Sequence, residues 1–343
     1  MKPLRLLVVG GGGIGERHVR CLLKSRPAGA LEVELCEPRR DRAVDLLEKH
    51  ALVTVHPAFE RVDLSRFDAA VVATPANLHL AQAGALVAAG CHVLVEKPLC
   101  VRESERRAAR ALLAAARRRR RVVAVGYTYR SYPLLMRLFA RLGGLGRPRM
   151  ARARLAYDYP RYRPDWRGNY FAREASGGGA LLDIASHALA FLAMALGPVE
   201  SVQALAGRQG LEGVAVEDTA LLLLRFRSGV LAEVWTSACQ PRREAEIEII
   251  GERGHLRWVN SFDGTSALTF TRGDGDPGRH TARKVLDGDE PFAIQAAAFL
   301  AAVENRGAGL GPLASLADGL HVQEACWAAR RSARTGRREK VPG

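Results

Sequence analysis

Lys97 is the first residue in this chain equipped to do chemistry. Only six of the 51 basic residues are lysines, and this one sits in Val95-Glu96-Lys97-Pro98-Leu99. It closes the apolar run Cys91-His92-Val93-Leu94-Val95. A lysine supplies a mobile point charge with a tunable pKa, which an arginine does not. The carboxyl end of a strand is also where an open α/β sheet places its ligands. The plain alternative is a surface lysine beside a turn proline. Asp183 and His187 form the second candidate group, four residues apart after Gly177-Gly178-Gly179. On a helix that spacing sets both side chains on one face, about one turn apart. Histidine titrates nearest neutrality and suits a general base, and the aspartate could orient it or relay a proton. Three glycines permit a close approach of backbone to a ligand. Taken alone, the pair fits a polar helix interface better than a reaction centre.

A third group points to a cofactor. Gly10, Gly12 and Gly15 fit G-x-G-x-x-G, with Gly13 and Ile14 inside the motif, directly after an apolar run and before a helical one. In that setting glycine gives a tight turn, lets backbone N–H groups approach a pyrophosphate, and brings helix close to strand. The helix N-terminus adds partial positive charge at the same place. Glu37 ends the run Leu31 to Cys36 and lies 22 residues past Gly15, near the spacing of about 20 for an acid that holds a ribose. A carboxylate there favours NAD. Arg39 and Arg40 follow within reach of a 2′-phosphate, which keeps NADP open. Thr74-Pro75 follows another apolar run and could line the nicotinamide or its ribose, though by itself it is only a turn signal.

The elements that must position these residues alternate along the first 127 positions. Apolar runs at Leu4 to Val9, Leu31 to Cys36, Ala69 to Ala73, Cys91 to Val95 and Val122 to Gly126 read as strands. Ile14 to Lys24, Asp41 to Lys49, Leu78 to Ala89 and Ser104 to Arg120 read as helices. This alternation, with near-continuous apolar strands, predicts a doubly wound parallel sheet covered on both faces. After Tyr127 the texture changes. Longer alternating runs at Arg149 to Tyr157, Ser201 to Ala206, Thr219 to Phe226, Val230 to Ser237, Glu244 to Ile250 and His255 to Val259 predict a mainly antiparallel sheet. Helices are expected over Pro133 to Leu142 and, covering that second sheet, over Leu181 to Leu196, Phe292 to Glu304 and Ser315 to Ala333. Residues 272–290 are polar and glycine-rich and read as a surface loop. The expected division is residues 1–127 and residues 128–343.

Composition narrows the function classes. A hydrophobic fraction of 48% and a charged fraction of 25% are those of an ordinary globular protein. No apolar run approaches the roughly 20 residues of a membrane span, and the N-terminus has no signal-peptide form, so no membrane role is expected. The six cysteines are scattered, with no Cys-x-x-Cys pair, so neither zinc nor disulfides are suggested, no metal is expected, and a reducing cytoplasm fits. The formal charge of +15 and pI near 10.2 could signal a nucleic-acid partner. The arginines are spread along the chain, however, and the one dense run, Arg117 to Arg121, reads as a solvated helix end favoured by the dipole. No nucleic acid is expected.

The glycine motif runs on through Glu16-Arg17-His18. With it go Asn77, His79, Gly126-Tyr127-Thr128-Tyr129-Arg130, Gly146-Arg147-Pro148, Trp166-Arg167, Glu217-Asp218, Gly251 to Gly254 and the tail Arg331 to Arg337. Together with Glu96-Lys97-Pro98 and Gly177 to His187, they make the chain resemble the Gfo/Idh/MocA oxidoreductases (glucose–fructose oxidoreductase, inositol dehydrogenase, rhizopine catabolism) across nearly its whole length. The resemblance implies a Rossmann domain followed by an α/β domain with an open, mainly antiparallel sheet. Such a sheet often serves as an oligomer interface, so a homodimer or homotetramer is expected. The resemblance implies NAD, with NADP possible, held also by Asn77, His79, Glu96 and Lys97. It implies hydride transfer between nicotinamide and a carbinol or ketone. His187 would take the hydroxyl proton, Lys97 would stabilise charge on the substrate oxygen, and Asp183 would hold His187 or a second hydroxyl. The resemblance also suggests a cis peptide before Pro98. Departures are Ala185 where a glycine is common, Thr128 where asparagine is common, and His187 where some ketosugar reductases carry tyrosine.

The stretch Tyr157 to Tyr170 mixes aromatics and arginines in a chain only 6% aromatic. Rings stack on sugar faces, and arginine binds carboxylate or phosphate. A packing loop between subunits or domains fits almost equally well. Arg130, Trp166, Arg167 and Trp235 are the substrate-binding candidates, for a polyol or sugar-like small molecule. Two other readings stand beside this one: reduction of a nucleotide-linked ketosugar or of an imine or enamine, and a cofactor-binding sensor without catalysis.

Overall fold

A computed structural model describes residues 3–261, 264–272, 278–283, 288–305 and 309–342. In chain order it begins β1 (Leu4–Val9), α1 (Gly13–Lys24), β2 (Leu31–Cys36), α2 (Arg40–Lys49), β3 (Val55–His56), β4 (Ala69–Val72), α3 (His79–Ala89), β5 (His92–Glu96), α4 (Arg106–Arg119) and β6 (Val123–Gly126). Then come α5 (Pro133–Ala140), β7 (Pro148–Asp158), α6 (Tyr159–Tyr162), a π-helical turn (Ala180–Ala185) running into α7 (Ser186–Leu196), and β8 (Val199–Gly207). The chain continues through β9 (Thr219–Phe226), β10 (Leu231–Ser237), β11 (Cys239–Gly251), β12 (Gly254–Asn260), β13 (Thr265–Arg272) and β14 (Gly278–Arg283). It ends with α8 (Glu290–Glu304), β15 (Ala314–Ser315), α9 (Leu316–Thr335) and β16 (Glu339–Lys340).

These elements form two compact units, Met1–Ser131 with Asp289–Gly319, and Tyr132–Gly288 with Leu320–Gly343. The first unit holds a sheet in the order β15-β6-β5-β4-β1-β2-β3, parallel except where β15 meets β6. Its central strands are buried on both faces: every residue of β4, β5 and β6 is buried. That is why they read as apolar runs rather than as alternating ones. α1 buries Gly15, His18, Val19, Cys21 and Leu22, one stripe of a helical surface. α4 ends on Arg117, Arg118 and Arg119, all exposed, as expected for cations at a helix C-terminus.

α8 corrects one expectation. Phe292, Ala296, Phe299 and Leu300 pack in the same core as Leu6, Val8, Val19 and Leu22, so this helix covers the first sheet rather than the second. Helical periodicity shows which face of a helix is apolar, not which sheet receives it. Each Val, Leu or Phe side chain in this core contributes about 1.5–3 kcal/mol by leaving water.

The second unit holds a sheet in the order β14-β13-β12-β11-β7-β10-β9-β8-β16 among the described residues, antiparallel except between β7 and β10. β14 corrects the expected loop over 272–290: Gly278–Arg283 pairs with β13. An edge strand is held by its backbone ladder and needs no apolar alternation, so the polar sequence hid it. Residues 273–277 and 284–287 of that expected loop lie outside the described residues. The short strands β3, β15 and β16 are equally invisible to periodicity. The expectation about membrane-length runs is also corrected. Glu174–Leu196 is 23 residues long and apolar enough to cross a membrane by length and composition, and 78% of its apolar window is buried inside the protein.

Candidate active site

In the first unit the glycine turn divides its labour by position. Gly10 has φ +98°, and a Cβ there would meet the Ala73 carbonyl oxygen at 2.7 Å. A Cβ on Gly15 would lie 1.8 Å from the Gly10 carbonyl oxygen, so this glycine exists for helix–strand contact. At Gly12 and Gly13 nothing lies within 4 Å of the Cβ position. That open side adjoins the N-terminus of α1, whose first N–H groups have no intrahelical acceptor. The residues present therefore fit a dinucleotide pyrophosphate: close packing behind the loop, space and donors in front.

Glu37 closes the other side of the loop. Its carboxylate is 4% exposed and accepts the Gly11 N–H at 2.8 Å and the Arg39 guanidinium at 2.8 Å and 3.3 Å. Burial pushes its pKa up, but the bonds from Arg39 and Gly11 outweigh that and hold it below the usual carboxylate range. Arg39 is thus committed to Glu37, while Arg40 is exposed. Arg42 carries no mark in the sequence. It donates to the Gly11 carbonyl at 2.8 Å and to Asp45 at 2.5 Å, and pairs with Glu16 of α1, so it braces the loop from α2. Among so many arginines, no sequence signal distinguishes it.

The turns after β4 and β5 are tied together. His79 is 1% exposed, and its two ring nitrogens lie 2.8 Å from the Thr74 and Pro98 carbonyl oxygens. Burial pushes its pKa down, against the pull of these carbonyls. The ring is therefore spent on fixing two loops. Thr74 donates to Gln82 at 2.6 Å, while Pro75 and Asn77 are exposed. Glu96 is buried; it meets His18 Nε2 at 2.7 Å and accepts the Lys97 N–H at 3.2 Å. A Cβ on Gly126 would come within 2.8 Å of the same carboxylate. Glu96 thus fixes the strand end on which the half-buried Lys97 stands, and the Lys97–Pro98 peptide is cis. Arg130 is 7% exposed and pairs with Asp318 at 3.3 Å; burial lowers its pKa and Asp318 opposes this. Its side chain is a buried brace in this unit.

In the second unit two of the three glycines, Gly178 and Gly179, are closely packed by the protein itself. A Cβ on Gly178 would lie 2.1 Å from the Phe171 carbonyl oxygen, and one on Gly179 would lie 2.5 Å from Glu217 Oε1. Glu217 also holds the start of the π-helical turn, its carbonyl taking the Ala180 N–H at 2.8 Å and its carboxylate the Leu181 N–H at 3.1 Å. Arg330 pairs with Glu217 at 3.5 Å. Asp183 lies in this turn, 4% exposed, and accepts the Tyr170 hydroxyl at 2.7 Å. His187 is half-buried on the first turn of α7. π-helical turns are rare and concentrate at functional sites.

The remaining substrate candidates separate. Trp166 is buried, with the exposed Arg167 stacked over it at 4.1 Å. Trp235 does not join Asp183. The π turn packs against β10, whose buried face carries Ala232, Val234 and Thr236, and Trp235 points to the other face, under Arg154 at 4.9 Å. Strand alternation places neighbouring residues on opposite faces, and the sequence does not say which face carries the site.

Comparison with known proteins gives these features a family. Residues 4–127 match the oxidoreductase family model with the NAD-binding Rossmann fold, and residues 135–257 match the GFO/IDH/MocA C-terminal domain. A 1,5-anhydro-D-fructose reductase of Ensifer adhaerens is 31% identical over 268 residues, covering 75% of this chain and 77% of that one. The chain belongs to the Gfo/Idh/MocA oxidoreductase family. A dTDP-3,4-didehydro-2,6-dideoxy-alpha-D-glucose 3-reductase of Actinomadura kijaniata is 30% identical over 308 residues, 88% of each chain. Among solved structures, a levoglucosan dehydrogenase in complex with NADH superposes with a TM-score of 0.85 over 99% of both chains at 22% identity, which shows a shared fold. As a Gfo/Idh/MocA protein, the chain is an NAD-binding oxidoreductase.

Proposed function

We propose that this oxidoreductase moves a hydride between NAD and a secondary carbinol, or its ketone, in a sugar, a cyclitol or a sugar derivative. The observation that carries this reading is the joint presence, in one family member, of Lys97 on a braced strand end and of buried Asp183 with His187 on the following turn. Bound nicotinamide supplies the hydride acceptor or donor. His187 removes the hydroxyl proton in oxidation and returns it in reduction. Lys97 donates to the substrate oxygen and offsets the charge that develops there. Asp183, which accepts the Tyr170 hydroxyl, orients His187 or a vicinal hydroxyl. The chemistry requires the Lys97 ammonium and the His187 imidazole to serve one substrate. Glu37 supports NAD over NADP, because its anchored carboxylate accepts ribose hydroxyls and repels a 2′-phosphate.

The test is nicotinamide absorbance followed with hexoses, anhydrosugars, cyclitols and their keto forms, with each cofactor. Turnover with NAD on at least one polyol is expected. Tight NAD binding without turnover on any of them would leave a sensor, not an enzyme. The relative that reduces a dTDP-linked ketosugar, by its name, supports including nucleotide-linked substrates in the same panel.

The outer face of the second sheet supports a homodimer or homotetramer. Leu205, Leu221, Leu223 and Leu231 are 69%, 48%, 63% and 49% exposed. Leu205, Leu221 and Trp235 stand in cross-strand register across β8, β9 and β10, forming an apolar row. All six cysteines are thiols, which supports a cytoplasmic setting.

A further inference from the structure

We infer that Tyr170 is a positioning residue for the reaction, acting through Asp183; this rests on the role proposed for Asp183 above. Tyr170 belongs to a short turn, Tyr170–Ala172, that Asn169 caps by accepting the Phe171 N–H at 2.9 Å. The glycine turn is laid directly against it. Gly179 N–H donates to the Phe171 carbonyl at 3.1 Å, Ser176 Oγ donates to the Tyr170 carbonyl at 2.9 Å, and the missing Cβ of Gly178 lets the two backbones touch. Tyr159 stacks on Phe171 with ring centroids 4.1 Å apart and reaches Asn169 with its hydroxyl at 3.5 Å. The backbone on both sides of Tyr170 is therefore fixed relative to the π-helical turn.

Tyr170 is 42% exposed as a residue, and its hydroxyl donates to Asp183, which is 4% exposed. A phenol and a carboxylate there can share one proton in only one sensible way. Burial, and then the charge of Asp183, push the phenol pKa well above its usual value, so Tyr170 stays protonated and donates. The donated bond fixes Asp183 Oδ1 and so sets the plane of the carboxylate. Tyr159 and Tyr157 also face this phenol, with Arg163 beside Tyr159. Burial pushes the Tyr159 phenol up as well, so it brings no charge near neutral pH. Losing one hydrogen bond to a charged group is worth roughly a 10- to 100-fold change.

The test is a double-mutant cycle on the NAD-saturated protein: Tyr170→Phe, Asp183→Asn and both together. Rates are read on the fastest substrate of a panel of hexoses, anhydrosugars and cyclitols. Tyr170→Phe should lower kcat about 10- to 100-fold, leave NAD affinity and melting temperature near wild type, and cost under about 3-fold once Asp183 is already asparagine. An equal cost in both backgrounds would overturn the inference, because a packing role does not depend on Asp183. A substrate-free readout runs beside it, alkaline titration followed by tyrosinate absorbance. Burial and Asp183 hold both Tyr159 and Tyr170 late, so one of the late steps should vanish in Tyr170→Phe and the late steps should come earlier in Asp183→Asn; unmoved late steps would overturn the pairing. Wild-type turnover in Asp183→Asn would defeat the functional reading, whereas a crippled Asp183→Asn with an unaffected Tyr170→Phe would defeat this inference alone.

Discussion

Two alanine substitutions one turn apart separate binding from folding in the glycine turn. Gly15→Ala places a methyl 1.8 Å from the Gly10 carbonyl oxygen, and ordinary contact starts at 3.4 Å, so strand end and helix must part by roughly 1.6 Å. Both neighbours are backbone and cannot rotate away. Overpacking of this kind costs about 3 kcal/mol or more, which lowers the melting temperature of a unit this size by about 6–12 °C. Gly12→Ala differs at every step. Gly12 has φ −64° and ψ 179°, a conformation alanine adopts freely, and nothing lies within 4 Å of its Cβ position. Folding stability should change by under about 1 kcal/mol. The new methyl points into the space a pyrophosphate needs, however, and displaces one or two charge-assisted hydrogen bonds of about 1.5–3 kcal/mol each. NAD affinity should fall about 10- to 100-fold or more. Differential scanning calorimetry and NADH fluorescence titration on both variants measure these outcomes. Wild-type NAD affinity in Gly12→Ala, or a wild-type melt in Gly15→Ala, would refute the assignment of open and packed sides.

Glu37→Ala should move cofactor preference toward NADP by about 10-fold or more, read as the ratio of kcat/KM values, because it removes the ribose acceptor and releases Arg39. Asp218 is fully buried and accepts the N–H groups of Gln209, Gly210 and Leu211 at 2.8–2.9 Å. Burial pushes its pKa up, but these bonds outweigh it and hold the pKa below 3.8. Its stabilisation is therefore full above pH 3.8 and is lost as pH falls through the lowered folded value, and Asp218→Asn should cost about 2–3 kcal/mol in urea unfolding at pH 7 while flattening that acid limb. Leu223→Arg, on the outer face of the second sheet, should shift the species seen by light scattering toward monomer with little change in melting temperature at matched oligomer.

The parallel sheet and the glycine turn were legible because each signal is local. Buried strands are continuous apolar runs, and the turn's three glycines stand at fixed offsets from one strand. Most of what holds the site was not legible, because it is set by approach between distant segments. Arg42 reaches Gly11, His18 reaches Glu96, and Tyr170 reaches Asp183, and none of these pairs has a spacing that periodicity can register. Gly178 and Gly179 owe their missing side chains to neighbours far off in sequence, Phe171 and Glu217. Trp235 illustrates the limit of alternation, which separates two faces and does not say which carries the chemistry. α8 shows the same limit for helices, since its apolar stripe fits either sheet.

The proposed catalysis stands or falls on Lys97 and His187 acting on one substrate beside one nicotinamide. Rapid-mixing measurement of a single hydride transfer, on NAD-saturated wild type, Lys97→Met and His187→Asn, isolates that step from binding and product release. His187→Asn should bind NAD as wild type does, and each variant, saturated with NAD, should transfer hydride about 10²-fold or more slowly. Transfer at the wild-type rate in either variant would show that the two side chains do not share the reaction.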